Sequence, residues 1–221
     1  LGQAVVRRAD AERALGQVRR IVGRHLGQLD AFLRINVEPL FGRDERRVRP
    51  VETHRQERET FFKRGSESPL SKGDKRNFKG LNYYPANPDY RVNARLTPFQ
   101  NQTIVKIPTS DNKEKTYTRF AYAEFELKDK MHKVLLLKPT ESENPNDVFL
   151  AFTDSTSGDE TYGGGRYVDL VTSSDSRIII DFNKAYNPFC VFNDEYSCPF
   201  PPKENHLNVA IKAGEKNYDY Q

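Results

Sequence analysis

The stretch TYTRFAYAEFELKDKMHKVLLL, Thr116–Leu137, decides the fold. Ala121, Ala123, Phe125 and Leu127 alternate with Tyr122, Glu124 and Glu126. A period of two belongs to a β-strand that buries one face. Asp129-Lys130 lies between this run and the apolar Lys133–Leu137, and predicts a tight hairpin.

The same signature extends outward in both directions. It predicts strands at Tyr90–Leu96, Thr103–Ile107, Thr116–Leu127, Lys133–Leu137, Val148–Phe152, Tyr167–Leu170, Arg177–Asp181 and Leu207–Lys212. Turn residues separate them at Asp111-Asn112, Pro145-Asn146, Ser157-Gly158 and Ser174-Asp175. Few helices alternate with these strands, so a doubly wound parallel sheet is not expected. The expected fold is mainly β with N-terminal helices, an α+β chain whose antiparallel sheet rolls into a barrel or sandwich.

Upstream, Leu15, Val18, Val22, Leu26, Leu29 and Leu33 recur at steps of three and four, which predicts a helix over 10–36. Residues 42–51 are arginine-rich, end at Pro50 and read as a linker. A second helix is expected at 52–64, with Thr53 as cap and Phe61-Phe62 turned inward. A short helical turn is expected from Ser68 towards Gly80. The domain expectation is a basic helical segment and linker at 1–50 and a β-rich domain at 51–221.

Charge supports that division. Residues 1–50 hold 11 Arg, no Lys and 6 acids, whereas 51–221 hold 24 basic and 25 acidic residues. The main body therefore lacks the basic footprint of a nucleic-acid binder. No apolar run approaches the ~20 residues of a membrane span. The arginine-studded Leu1–Leu33 does not read as an export signal. Residues 10–36 are the candidate surface for self-association or a protein partner.

Residues with chemical potential crowd into 147–218. Gly163, Gly164 and Gly165 precede Arg166 and Tyr167. Successive backbone amides beside an arginine suit an anion; a tight turn with a structural arginine explains the same letters. Asp181, Asn183, Tyr186 and Asn187 follow the apolar Ile178–Ile180, at the rim of a sheet. Asp181 or Glu204 is a candidate base, Tyr186 a candidate proton donor, and Asn183, Asn187 and Asn205 are candidate ligand contacts. Asx-type turn bonding is the competing reading.

Cys190 and Cys198 are open to three readings: a disulfide in an oxidising compartment, buried thiols, or Cys190 as a nucleophile paired with His206. No metal-ligand spacing is present, and the sequence leaves any cofactor unknown.

Several of these motifs resemble a known family. They are Thr153-Asp154, Thr161–Tyr167, Asp181–Pro188, Tyr196-Ser-Cys-Pro199, Pro202-Lys-Glu-Asn205 and Ala213-Gly-Glu215. Upstream, Ser68-Pro-Leu70, Phe78–Leu81, Tyr84-Pro85 and Tyr90-Arg-Val92 match as well. Together they resemble a bacterial and archaeal domain family without a settled activity, across about residues 52–218. Residues 1–50 do not match it. The Lys- and Asn-rich wording is similar to members from Bacteroidetes-type bacteria. For this chain the resemblance implies an extracytoplasmic setting and a Cys190–Cys198 bond.

Three functional expectations follow. The first is a polar pocket that binds a small anionic ligand through Gly163–Arg166 and Asn183–Asn187, walled by Tyr162, Tyr167, Tyr186 and Phe189. The second is an enzyme using the same pocket, a hydrolase or lyase, with a flavin-dependent oxidoreductase as a variant. The third is a structural subunit docking through the N-terminal helix.

Overall fold

The computed structural model describes residues 43–173 and 175–218. The helix expected over 10–36 lies outside the described residues.

Helix α1, Arg43–Arg64, is followed by the short α2, Lys72–Asn77. The linker expectation is corrected here, because the helix begins at Arg43 and carries Pro50 inside it. Arg and Glu are good helix formers, and they continue the helix through a residue that supplies no N–H. Thr53 is thus an interior residue rather than a cap. Ser71, not Ser68, caps α2, accepting from the Asp74 amide at 3.1 Å. Ser68 is buried and donates to the Phe62 carbonyl at 2.6 Å.

Eight strands form one curled sheet, a half-barrel: β1 Arg91–Pro98, β2 Ile104–Pro108, β3 Glu114–Leu127, β4 Lys130–Pro139, β5 Asp147–Asp154, β6 Arg166–Val171, β7 Arg177–Asp181 and β8 His206–Leu207. The order is β6-β5-β4-β3-β1-β7, with β2 paired to β3 and β8 to β5. Every pair is antiparallel except β5–β8. The eighth predicted strand, Leu207–Lys212, shrinks to His206–Leu207; beyond it the Val209 carbonyl accepts from the Ser155 amide and the Ile211 carbonyl from Arg166.

The β3–β4 hairpin pairs Leu127 with Lys130, so its two turn residues are Lys128 and Asp129. Both have positive φ, 52° and 59°, the geometry of a type I′ turn. Further along β3 a bulge between Arg119 and Ala121 inserts one extra residue. It reverses the side on which odd-numbered residues point. Ala121, Ala123, Phe125 and Leu127 therefore face the inner core, whereas Tyr117 faces the opposite, outer side.

Strands β4 and β5 are covered on both faces, as their unbroken apolar runs require. Val134 and Leu136 join Val148, Leu150 and Phe152 in the inner core. Leu135, Leu137, Phe149 and Ala151 join Tyr117 and Tyr167 outside. A third cluster holds α1 to the body through the fully buried Phe62, with Leu70, Phe78, Leu81 and Phe192.

Candidate functional site: an aromatic cleft on the outer face of the sheet

Arg166 opens β6 and is fully buried. One Nη donates to Asp154 Oδ2 at 2.7 Å and the Ile211 carbonyl at 2.9 Å. The other donates to the carbonyls of Ala213 at 2.5 Å and Glu215 at 3.0 Å. All four Nη protons are thus used inside the protein, leaving only Nε without a partner. Asp154 Oδ1 is occupied by the amide and hydroxyl of Thr156, each at 2.6 Å. Arg166 ties the 211–215 segment to the sheet and has no Nη proton left to offer an anion.

The glycines before it form a turn. Gly165 has φ +91°, and a Cβ there would lie 2.5 Å from Pro201 Cγ and 2.6 Å from the Phe152 carbonyl. Its amide donates to the Tyr162 carbonyl at 3.1 Å. Gly163 is exposed and Gly164 half-buried.

The asparagines are also engaged by the chain, Asn183 at both ends of its amide and Asn187 through Nδ2. Asn183 accepts from the Asn87 amide at 2.9 Å and donates to the Asn87 carbonyl at 2.8 Å and to Asp181 Oδ1 at 2.9 Å. Asn187 receives Arg58 on its backbone carbonyl at 3.0 Å, its backbone amide donates to Glu215 Oε2 at 2.8 Å and its side-chain Nδ2 to the Lys216 carbonyl at 2.8 Å, leaving the buried Oδ1 without a partner. Arg58 also pairs through Nε with the buried Glu215, which anchors α1.

Asn205 has a role that no local sequence pattern signals. Strands β4 and β5 share a single register pair, Leu137↔Phe149. Where they part, the buried Asn205 amide accepts from the Leu135 amide at 2.6 Å. It donates to the carbonyls of Leu135 at 2.9 Å and Ala151 at 2.8 Å. A side-chain amide thus replaces the missing ladder.

The three candidate catalytic groups have separate partners. Asp181 engages Asn183 and lies 3.9 Å from Arg91 Nε, Glu204 accepts from Arg119 at 2.9 Å, and Tyr186 donates to Asp169 at 2.8 Å. Of these only Tyr186 reaches the molecule's open cleft.

That cleft lies where the 186–199 segment crosses the outer face of the sheet. Its volume is about 240 Å³, and its walls are Tyr117, Phe149, Tyr167, Tyr186, Phe189 and Tyr196. Lys115, Ser197, Cys198 and two prolines complete the lining. Tyr117 stacks on Phe149 with ring centroids 5.5 Å apart, and Tyr167 meets Phe149 edge-on at 4.9 Å. Tyr167 is held by its hydroxyl, which donates to the Pro199 carbonyl at 2.5 Å. A more polar depression of about 340 Å³ continues from the cleft, sharing Lys115 and Tyr117 and adding Glu114, Thr140 and Glu141.

Burial raises the phenol pKa values along this wall: Tyr117 to about 12, with Tyr167 and Tyr186 pushed higher. All stay protonated at neutral pH. Asp169 leaves part of its surface in water, yet its carboxyl end is crowded against Tyr186. Desolvation raises its pKa, opposed by the Tyr186 hydrogen bond and by Arg58. Arg58 also lies 4.6 Å over the Tyr186 ring.

Of the four expected walls, Tyr167, Tyr186 and Phe189 line the cleft and Tyr162 does not; Tyr117, Phe149 and Tyr196 were not singled out. Aromatics on the non-core parity of apolar strands were the available signal. At Tyr117 the bulge concealed it.

Cys190 and Cys198 are both free cysteines in this structure, so the expected bond between them is not shown. They are nevertheless neighbours, with the Cys190 amide donating to Cys198 Sγ at 3.2 Å. Among the described residues no cluster of His, Cys, Asp and Glu is placed to hold a metal, and no helix is long and apolar enough to cross a membrane.

An antiparallel half-barrel strapped by its own C-terminal segment, with an aromatic cleft under the strap, defines a small α+β domain. The chain belongs to the family described as protein of unknown function (DUF1684), which matches over residues 76–216. It is similar to the uncharacterized protein from gene locus rrnAC0354 of Haloarcula marismortui, whose structure was solved by NMR in solution. The two are 34% identical, the match covers 78% of this chain and 95% of the other, and the TM-score is 0.63. None of the curated proteins compared matches this chain.

Proposed function

We propose that this domain binds a small molecule bearing one flat ring and an anionic substituent, and that the ring lies in the aromatic cleft. The observation that carries this reading is a contrast in saturation. Around Arg166 the polar groups are engaged by the chain itself, while six aromatic side chains line a cleft left open. Ligand pockets are typically apolar and aromatic with a few polar groups at defined points. Drug-sized ligands occupy roughly 300–1,000 Å³, so a cleft near 240 Å³ suits a single ring system.

Lys115 is exposed at the rim and makes no ion pair among the described residues. It supplies the anion preference expected at Arg166, in a place a ligand can reach. Ser197 and the Asp169–Tyr186 pair offer further polar contacts at the edge.

A ligand-observed NMR screen of ring-bearing carboxylates and phosphates tests this. Binders found with the full chain should weaken about tenfold on Tyr196→Ala, a loss of ~1.4 kcal/mol, and detectably on Lys115→Ala. Binders insensitive to both substitutions would refute the cleft as the site.

A further inference from the structure

We propose that Cys190 and Cys198 form a redox-active dithiol at the edge of the cleft, with Cys190 the attacking thiolate and Cys198 the resolving thiol, acting on low-molecular-weight disulfides. The inference goes beyond ligand binding and does not depend on it.

The geometry begins with the loop that holds the two residues. Cys190 sits in a single 3₁₀ turn, Phe189–Val191, after Pro188. Cys198 is fastened to the β2–β3 turn: Ser110 Oγ accepts from the Cys198 amide at 3.1 Å, and the Ser110 amide donates to the Cys198 carbonyl at 2.9 Å. Between these anchors the chain returns so that the Cys190 amide reaches Cys198 Sγ at 3.2 Å. A thiol within hydrogen-bond reach of the other cysteine's backbone requires little rearrangement to bond.

The surroundings divide the labour between the two thiols. The Cys198 thiol and the Tyr162 hydroxyl lie beside Cys190 Sγ, while the Ser110 hydroxyl donates to the Tyr196 carbonyl at 3.2 Å. A hydrogen bond donated to the charged form stabilises a thiolate. Cys190 is half-buried, within reach of a small disulfide, whereas Cys198 is buried against the cleft wall.

Acidity follows the same division. The Cys198 hydrogen bond leads the causes that lower the Cys190 pKa to about 6. That bond, with burial, pushes the Cys198 thiol up. The other titratable groups facing the pair are Tyr162, Tyr117 and Tyr167, with Asp194 near Tyr162 and Lys115 near Cys198. The phenols stay protonated, and Tyr162 itself is raised to about 12 by burial first. The pair therefore titrates against a background that does not change near neutrality.

The chemistry balances without a cofactor. Cys190 thiolate attacks one sulfur of RSSR; that S–S bond breaks, and RS⁻ leaves and takes a proton from water. Cys198 then loses its proton to solvent, and its sulfur attacks Cys190 Sγ in the mixed disulfide. The Cys190–SR bond breaks and the second RS⁻ departs. Two protein thiols are oxidised to one disulfide, and RSSR is reduced to two RSH. Because Cys198 lines the cleft, the product also alters the cleft wall.

The full chain, reduced, is mixed with oxidised glutathione and followed by quenched-flow mass spectrometry, alongside Cys190→Ser and Cys198→Ser. Wild type should pass through a transient glutathione adduct to a species two hydrogens lighter than the reduced protein. Cys198→Ser should stop at the adduct, and Cys190→Ser should react roughly tenfold or more slowly at pH 6. A second measurement needs no variant: a pulse of iodoacetamide on the reduced wild type, with peptide mapping across pH. Cys190 should be labelled first, with a rate midpoint near 6. Preferential labelling of Cys198, a midpoint at the ordinary thiol value of ~8.5, or a wild-type adduct that never resolves would each overturn the assignment.

Discussion

The C-terminal strap has two halves that differ in composition and behave differently. From 203 to 215 it is saturated: Asn205 bridges β4 and β5, and three carbonyls between Ile211 and Glu215 close on Arg166. From 186 to 199 it spans the outer face loosely, leaving a cleft, two free thiols and an exposed rim lysine. The lesson is that rare, polar, motif-like residues are not by themselves a site. A buried guanidinium with four satisfied protons is a fastener, and an unfilled aromatic surface is where a ligand gains contact.

The comparison is broken most forcefully at Arg166. Arg166→Met should cost about 3–5 kcal/mol in a denaturant unfolding experiment, because it leaves Asp154 buried and uncompensated. Arg166→Lys should recover little of it, since an ammonium cannot reach acceptors arrayed around two Nη atoms. A variant that unfolds like wild type but loses a ligand would invert the assignment of the two halves.

Next comes the pair that docks α1. Glu215→Gln should destabilise by about 2–3 kcal/mol, and a double-mutant cycle with Arg58→Ala should show strong coupling, since Arg58 has few other partners. Asn205→Ala should cost about 1–3 kcal/mol through three unpaired backbone groups, with hydrogen exchange accelerated at Leu135 before the rest of β4. In the open half the expectation reverses. Tyr196→Ala should shift stability by no more than about 1 kcal/mol while weakening ligands about tenfold.

The smallest effect concerns pH. Asp111 accepts from Thr109, Ser197 and Lys113, and the Lys113 hydrogen bond leads the causes that hold its carboxyl below the usual range. Folding is therefore favoured by its ionisation. The contribution is complete above the unfolded carboxyl value of ~3.9 and is lost as pH falls through the folded value. Asp111→Asn should flatten the acid limb of the stability curve slightly, and an unchanged limb would remove Asp111 from the anchoring of the 196–198 loop.

Much of the β framework was legible because alternation is a local signal. Seven of the expected strands lie where Tyr90–Asp181 placed them, and the half-barrel meets the expected rolled sheet. Alternation fails where one residue is inserted, so the bulge beside Phe120 hid Tyr117 from view. It also fails to report which polar residue is saturated. The burial of Arg166 depends on carbonyls some 45 residues downstream, and the role of Asn205 depends on two strands parting. Neither fact has a trace in the local sequence. The turn reading of the glycines and the Asx-type reading of Asn183 prove the better descriptions there.

The most direct test is a shift map on isotope-labelled full chain titrated with the strongest screened binder. The account predicts perturbations centred on Lys115, Tyr117, Phe149, Tyr186 and Tyr196, with Gly163–Arg166 unmoved. Perturbations centred on Gly163–Arg166 and Asn183, with the aromatic cleft silent, would contradict it.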